Sequence, residues 1–182
     1  TIYEKNEMPG GHAYQFKEKG YTFGMGPSLL TELPIIERLF KQAGKPLKKY
    51  LKTTGLDPFY RVYFHDQSFI DYNGSTASMK EQIAKFNEND AGNYEKFMHY
   101  ASRLYKAVIT DGLGSKPFIT AGDFLSFAPR AIALKAILPA YSVVAGYFKD
   151  FRTRFLFSFH TLFIGGNPFR APSLFLMLPF LE

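Results

Sequence analysis

Glu4 is the first residue of the chain that could do chemistry, because it is the acid that ends the short β-rich run at residues 1–4. In a dinucleotide-binding fold, an acid at the end of the second strand accepts hydrogen bonds from ribose hydroxyls. It follows a glycine-rich turn by roughly 20 residues, and that turn would lie upstream of Thr1 here. A strand followed by a glutamate is also typical of an edge strand with its acid in solvent. The residues after Glu4 must therefore distinguish a ribose-binding acid from a solvent-exposed one.

A double glycine, Gly10 and Gly11, follows Glu4 after a short turn, and the basic His12 comes next. Without a Cβ atom, glycine lets the backbone come close to a ligand. An acid, a short turn and a double glycine before a basic residue resemble the flavin-binding segment of the amine oxidase and carotenoid desaturase superfamily. There the glycines approach the FAD pyrophosphate, and the next residue is usually arginine rather than histidine. The alternative interpretation of this segment is a plain loop.

Two longer segments resemble one family of that superfamily, the bacterial and fungal-type phytoene desaturases. Residues 20–28 (Gly-Tyr-Thr-Phe-Gly-Met-Gly-Pro-Ser) are similar to its Gly-Phe-x-Phe-Asp-x-Gly-Pro-[Ser/Thr] segment, with Gly24 in place of the aspartate. Residues 157–168 are similar to its Phe-Ser-Phe-His segment and its Gly-Gly-Asn-Pro turn. Residues 58–61 and 83–87 match in the same order, so the resemblance covers nearly the whole chain.

The resemblance implies an FAD-dependent oxidoreductase that inserts double bonds into a long polyene precursor such as phytoene. In that chemistry a hydride leaves a saturated carbon for the flavin, and a proton leaves the neighbouring carbon. The positions that match the family's acid and arginine are Asp150 and Arg154; the carboxylate could take the proton and the guanidinium could stabilise negative charge. The cofactor-binding residues that the resemblance implies are Glu4, Gly10, Gly11, His12, Gly26 and Pro27. The alternative for Asp150 and Arg154, four residues apart, is a surface ion pair on a helix.

The hydrophobic pattern predicts strands first and then mostly helices, an α/β arrangement running into α+β. The predicted elements are a hairpin from residues 12–16 and 21–23, a helix at 33–41, a strand pair from 59–64 and 68–72, and helices from residue 75 onward. With the resemblance, this predicts two parts. Residues 1–30 would belong to a Rossmann-like FAD-binding domain without its glycine-rich loop, and residues 31–182 to a mostly helical domain that binds substrate and associates with a membrane.

Residues 124–149 form an apolar stretch without an acidic residue, although it contains Arg130 and Lys135. Basic side chains on an apolar surface are typical of segments that lie in a membrane interface and attract anionic lipid. Pro129 and Pro139 are expected to break the stretch into short pieces. The alternative is two core helices with stray basic residues. The resemblance favours peripheral contact with the cytoplasmic face of the inner membrane, because a carotene must be collected from a bilayer.

Composition narrows the remaining classes of function. The 182 residues include 20 Phe and 12 Tyr, which suit a large core or a site for a flat apolar ligand. There is no cysteine, which excludes disulfides and thiolate chemistry. The net charge of +6 is not clustered in a way that indicates nucleic-acid binding. The four histidines are scattered, so no metal site is predicted.

Several alternatives stay open at this point. The whole protein could act on another apolar isoprenoid, as a desaturase of a shorter diapocarotenoid, a ketolase-like oxidase or a retinol-saturase-like enzyme. It could also be a membrane- or lipid-binding relative with a non-catalytic flavin site, which Gly24 and His12 would favour. The 182 residues by themselves read as an internal piece and are expected to have no turnover. The sequence does not predict the oligomeric state, the electron acceptor or the number of double bonds inserted.

Overall fold

The computed structural model describes residues 3–26 and 29–182. The chain divides into two compact units, Thr1–Thr53 and Thr54–Glu182. The first unit therefore includes the predicted hairpin and the helix after it. The functional division predicted after residue 30 stays a prediction.

The first unit contains an antiparallel hairpin of β1 (Gln15–Glu18) and β2 (Tyr21–Gly24). Lys19 and Gly20 connect the strands with positive φ angles of 49° and 84°, as a two-residue turn of this kind requires. The predicted hairpin is confirmed. Tyr3 and Glu4 lie outside any strand, so the predicted β run at residues 1–4 is wrong at its described positions. A strand needs a partner for its backbone groups, and β1 and β2 pair with each other.

The predicted helix of the first unit is confirmed as α1 (Leu33–Gln42). Pro34 lies in its first turn, where a missing N–H breaks no helical hydrogen bond. Gly44, with a φ of 65°, follows the end of the helix. A short 3₁₀ turn, Leu47–Lys49, comes next, and the rings of Phe40 and Tyr50 pack 5.4 Å apart.

The second unit begins with a second antiparallel pair, β3 (Tyr60–Tyr63) and β4 (Phe69–Tyr72), which confirms the second predicted strand pair. Its two faces differ. Tyr72 and Ile70 are buried, and the Tyr72 ring stacks on Tyr60 at 5.1 Å. On the other face, the directly opposed Arg61 and Asp71 form an ion pair at 2.6 Å.

Helices make up most of the second unit, as predicted. They are α2 (Thr76–Ala84), α3 (Glu88–Tyr105), α4 (Ala121–Ala133), α5 (Ala140–Tyr147), α6 (Phe151–Ser158) and α7 (Leu178–Leu181). The side chains of Ser75 and Asn87 cap α2 and α3, and Thr120 with Asp123 forms a capping box at α4. Shorter turns are the π turn Lys106–Thr110 and the 3₁₀ turns Leu113–Ser115, Phe159–Ile164 and Ser173–Met177.

The apolar stretch at residues 124–149 divides differently from the prediction. Pro129 lies inside α4 rather than ending it. The break comes after α4, where Lys135 has a positive φ of 53° and Pro139 precedes the first residue of α5. In the described part of the chain, no helix is both long enough and apolar enough to cross a bilayer.

Aromatic rings form the centre of the second unit's core. Phe157 of α6 lies 4.9 Å from Phe97 of α3 and 5.1 Å from Phe148, and all three side chains are fully buried. The core also contains Ile70 of β4 and Met79 of α2. The many aromatic residues of the sequence thus supply a large core, one of the two uses that the composition predicted.

Candidate functional site

The double glycine forms a tight turn that only glycine fits. Gly10 and Gly11 have φ angles of 131° and 57°, and the Ala13 amide donates to the Gly10 carbonyl at 2.9 Å. A Cβ atom at Gly10 would lie 2.8 Å from the Ala13 oxygen, so any side chain there would force the turn open. At Gly11 the same atom would meet nothing within 4 Å. The backbone at Gly11 is therefore uncovered.

Gly26 packs directly against this turn. A Cβ atom on Gly26 would lie 2.7 Å from the Ala13 Cα atom and 3.0 Å from the His12 carbonyl oxygen. The Met25 amide donates to the Tyr14 carbonyl at 2.8 Å, which continues the hairpin up to this contact. The structure therefore brings Gly10, Gly11, His12 and Gly26 together, and their cofactor-binding roles stay predictions.

The other two predicted cofactor residues are not part of this cluster as described. Glu4 is exposed, and its Oε1 atom accepts a hydrogen bond of 2.9 Å from the Asn6 amide. Pro27 lies outside the described residues. The cofactor-binding roles of both stay predictions.

Asp150 and Arg154, the predicted catalytic pair, lie at the start of α6. Asp150 caps the helix: its carboxylate accepts from the Arg152 amide at 2.9 Å and pairs with the Arg152 guanidinium at 3.1 Å. The Arg154 Nε atom donates to the Phe148 carbonyl at 2.7 Å. The alternative of an Asp150–Arg154 surface ion pair is therefore wrong, because an N-cap side chain bends toward the first helical turn. The catalytic roles stay predictions.

Arg152 was missed by the sequence reasoning, although it contacts Asp150 directly. Its guanidinium lies over the rings of Phe86 and Phe151, at 4.6 and 4.7 Å from their centroids. It also pairs with Asp66, and this hydrogen bond lowers the pKa of the Asp66 carboxyl well below its usual value. Arg152 thus links the start of α6 to the turn between β3 and β4.

Asp90 was also missed. It lies on α3, is fully buried, and accepts hydrogen bonds from the amides of Lys149 at 2.8 and 2.9 Å and of Asp150 at 2.8 Å. One signal in the sequence could have revealed it. Asp90 has helical spacing with Tyr94, Phe97 and Ala101, so an acid occupies a position on the apolar face of α3.

A second buried polar cluster joins β3 to the end of the described chain. The Tyr60 hydroxyl donates to Glu182 Oε2 at 2.9 Å, and the His160 Nε2 atom lies 3.0 Å from the same oxygen. Burial, with the nearby Glu182 carboxylate, raises the pKa of Tyr60 far above its usual value. His160, within the segment at residues 157–168, is thus a buried hydrogen-bonded residue. Over residues 3–26 and 29–182, no group of acidic and histidine side chains could hold a metal ion.

Comparison with known proteins identifies the class. The model of the flavin containing amine oxidoreductases matches residues 1–181, and the chain belongs to this family. Membership in it implies FAD as the cofactor. The turn at Gly10–Gly11 fits that cofactor, because the uncovered backbone at Gly11 and the exposed His12 leave room for a phosphate group.

Among the relatives, a phytoene desaturase (lycopene-forming) of Pantoea ananas is 36% identical over 181 residues, covering 100% of this chain and 37% of that protein. A second, from Pseudescherichia vulneris, is 34% identical over 185 residues, with the same shares. A 4,4'-diapophytoene desaturase of Staphylococcus haemolyticus is 27% identical over 186 residues, covering 100% of this chain and 36% of that protein. The chain spans little more than a third of the length of these relatives. The resemblance indicated by the motifs is confirmed.

Proposed function

We propose that the protein containing this chain is an FAD-dependent desaturase that inserts double bonds into phytoene, or a related apolar polyene, in carotenoid biosynthesis. The observation that carries this proposal is the similarity of the entire chain to phytoene desaturases, at 36% identity over 181 residues. The glycine turn and the hairpin of β1 and β2 would belong to a Rossmann-like FAD-binding domain. The second unit would belong to the domain that binds the substrate and contacts the membrane.

The glycine turn is the proposed place for the cofactor's pyrophosphate. Gly10 and Gly26 keep the turn compact, because each lacks the Cβ atom that would meet the backbone of residues 12 and 13. Gly11 offers its uncovered backbone, and the exposed His12 can donate a hydrogen bond to a phosphate oxygen. Glu4 would accept from the ribose hydroxyls, and Pro27 would complete the site. FAD, when bound, supplies the acceptor for the hydride that leaves the substrate.

The start of α6 is the proposed place for proton transfer. As the hydride leaves one saturated carbon, the Asp150 carboxylate takes a proton from the neighbouring carbon, and the electrons of that C–H bond form the new double bond. Arg152 orients the Asp150 carboxylate through the contact at 3.1 Å. Arg154 would stabilise the negative charge that develops as the hydride is transferred.

An apolar surface beside Asp150 and Arg154 suits a hydrocarbon chain. Phe151 and Phe155 of α6 are 37% and 48% exposed. The ring of Tyr141 packs on Phe155 at 6.2 Å and on Phe169 at 4.6 Å. A polyene lying on these rings would have its reacting carbons close to the carboxylate.

The activity test uses the intact open reading frame in a bacterial host that accumulates phytoene, with pigments read by absorbance and chromatography. A red-shifted polyene is the expected product. Asp150→Asn is expected to slow its formation by about 100-fold or more, the usual contribution of a positioned base. Arg154→Ala should also slow it, and Arg154→Lys should restore part of the rate. Unchanged phytoene from folded, flavin-loaded protein would contradict the proposal and favour a non-catalytic relative.

A shorter substrate is the second candidate, and the similarity to the 4,4'-diapophytoene desaturase favours it. The same strain background, supplying either phytoene or 4,4'-diapophytoene, distinguishes the two. If colour forms only from the shorter precursor, 4,4'-diapophytoene rather than phytoene is the substrate. The proposed flavin chemistry would be unaffected.

We also propose that α4 and the residues around it dock on the cytoplasmic face of the inner membrane. Leu125 and Ile132, seven residues apart on α4, are 72% and 65% exposed. Ile119, just before the helix, is 81% exposed. Lys116, Arg130 and Asp123 line a pocket of about 320 Å³ at the same place, where Lys116 and Arg130 suit the phosphate of an anionic lipid; Arg130 also pairs with Asp111.

The membrane proposal is tested by sedimenting the full-length protein with vesicles of phosphatidylcholine, with and without phosphatidylglycerol. Replacing both Leu125 and Ile132 by Glu is expected to release the protein from vesicles. Leu39→Glu is the matched control, because Leu39 of α1 is a comparably exposed leucine at 62%. Vesicle binding that survives the double replacement would contradict the assignment of this surface.

A further inference from the structure

Asp90 is a buried acid on α3 whose described partners are main-chain N–H groups just before α6. Its carboxylate is fully buried and accepts from the amides of Lys149 and Asp150 at 2.8–2.9 Å. A buried carboxylate is costly unless hydrogen bonds replace the lost water, and charge-assisted N–H donors do so best. An apolar residue at this position would leave the amides of Lys149 and Asp150 without this acceptor. The carboxylate therefore holds the main chain before α6 against α3.

The other contacts of the same segment show what is being held. Asn93, one turn further along α3, donates to the Tyr147 carbonyl at 3.0 Å. Arg154 Nε donates to the Phe148 carbonyl at 2.7 Å, and the Phe148 ring is buried at 5.3 Å from Phe97. Four successive residues, 147–150, are thus fixed through main-chain groups or a buried ring.

We propose that Asp90 is the positioning residue for Asp150 and Arg154. Asp90 fixes the main chain of Lys149 and Asp150, and so sets the direction in which the side chains of Asp150 and Arg154 leave the start of α6. The inference rests on the proposed function, in which these two side chains act on the substrate. A reacting group displaced by about 1 Å can lose about 100-fold in rate, so a fixed main chain at this point has a direct effect on the reaction.

The first test compares Asp90→Asn with Glu95→Gln in the full-length protein. An asparagine keeps the shape of Asp90, but its NH₂ group would face an N–H group from which the carboxylate had accepted a hydrogen bond. Two donors cannot bond to each other, so the main chain before α6 is held less firmly. We expect kcat to fall by about 10- to 100-fold, with flavin content and KM close to those of the wild type. Glu95 is the matched control, because it is an acid on the same helix that is 62% exposed and pairs with Lys80. Its replacement should leave the rate unchanged.

A double variant separates positioning from general stability. If Asp90 acts by positioning Asp150 and Arg154, Asp90→Asn should cost less in a protein that already carries Asp150→Asn than in the wild type, because only the part of the loss that runs through Arg154 remains. Multiplied losses, or a wild-type rate for Asp90→Asn alone, would overturn the inference.

Amide hydrogen exchange of residues 147–152 gives a readout that needs no substrate. Asp90→Asn should speed exchange at the amides of Lys149 and Asp150, while the amides of α3 stay protected. Unchanged exchange at Lys149 and Asp150 would overturn the inference. If the wild type fails to desaturate any polyene, the proposed function fails, and exchange alone still decides whether Asp90 holds the segment. If Asp90→Asn does not fold, Asn93→Ala takes its place; it removes the Tyr147 contact and an exposed hydrogen bond from Lys96. It should slow the reaction less and speed exchange in the same segment, and wild-type behaviour in both would overturn the inference.

Discussion

The two compact units hold their candidate residues by different means. In the first unit, no side chain among residues 3–26 and 29–53 is buried, and the glycine turn is shaped by neighbours within 16 residues in sequence. In the second unit, Asp150 and Arg154 adjoin an aromatic core that includes the fully buried Phe97 and Phe157. The candidate cofactor residues thus depend on local backbone constraints, whereas the candidate catalytic residues depend on contacts between distant parts of the chain.

This difference predicts where each unit is sensitive to mutation. A two-stranded hairpin without a buried face has little stability of its own, so truncating one of its side chains changes the free energy of unfolding little. A close-packed core loses both buried area and packing when a ring is removed. Replacing glycines should affect the first unit more than the second, because the shape of the first unit is set by its turns.

The largest expected effect is on the core of the second unit. Phe157 is fully buried and packs against the rings of Tyr72, Tyr94, Phe97 and Phe148. Phe157→Ala is expected to destabilise this unit by about 3–5 kcal/mol. The measurement is hydrogen exchange of the full-length protein in increasing urea, followed separately on peptides from each unit.

Phe16→Ala provides the matched comparison in the first unit. Phe16 is 39% exposed and stacks on Phe23 at 4.9 Å across the hairpin. Its loss is expected to cost no more than about 1.5 kcal/mol, the scale of an aromatic pair. An equal or larger cost than that of Phe157→Ala would show that the first unit also has a core in the whole protein, and would break the comparison.

Sequence reasoning succeeded where the constraint is local. The turn at Lys19 and Gly20 identified the first hairpin. The double glycine predicted a segment where the backbone can approach a ligand, and its φ angles of 131° and 57° are ones that favour glycine. Sequence reasoning failed at Tyr3 and Glu4 because strand propensity says nothing about whether a partner strand is present. The alternative interpretation, which paired Asp150 with Arg154 by helical spacing, is wrong because the capping geometry selects Arg152. The role of Asp90 depends on amides 59 and 60 residues away, which no local pattern encodes.

A glycine replacement sharpens the comparison from the side of the first unit. Gly26→Ala would place a Cβ atom 2.7 Å from the Ala13 Cα atom, so the backbone must move and the glycine turn must open. The flavin content of the purified full-length protein, read by absorbance, is expected to fall several-fold. Gly55→Ala is the control, since Gly55 lies outside the glycine turn, its Cβ atom would meet nothing within 4 Å and flavin content should be unchanged. Equal flavin content in both variants would show that this turn does not hold the cofactor.

The smallest expected effect concerns the exposed ion pair on the outer face of β3 and β4. The Arg61 guanidinium donates to both oxygens of Asp71, at 2.6 and 2.8 Å, and this hydrogen bonding lowers the pKa of the Asp71 carboxyl. A carboxyl with a lowered folded-state pKa stabilises the fold above its unfolded-state pKa, near 4, and loses that contribution as the pH falls through the folded-state value. Asp71→Asn should therefore lower the stability of the second unit slightly at pH 7 and become indistinguishable from the wild type in strong acid.

Glu81→Gln is the control for losing one charge, because Glu81 is an exposed residue on α2. Because Arg61 is well exposed, the difference at pH 7 should also shrink in high salt; a difference that persists in acid and in salt would show that the ion pair with Arg61 does not cause it.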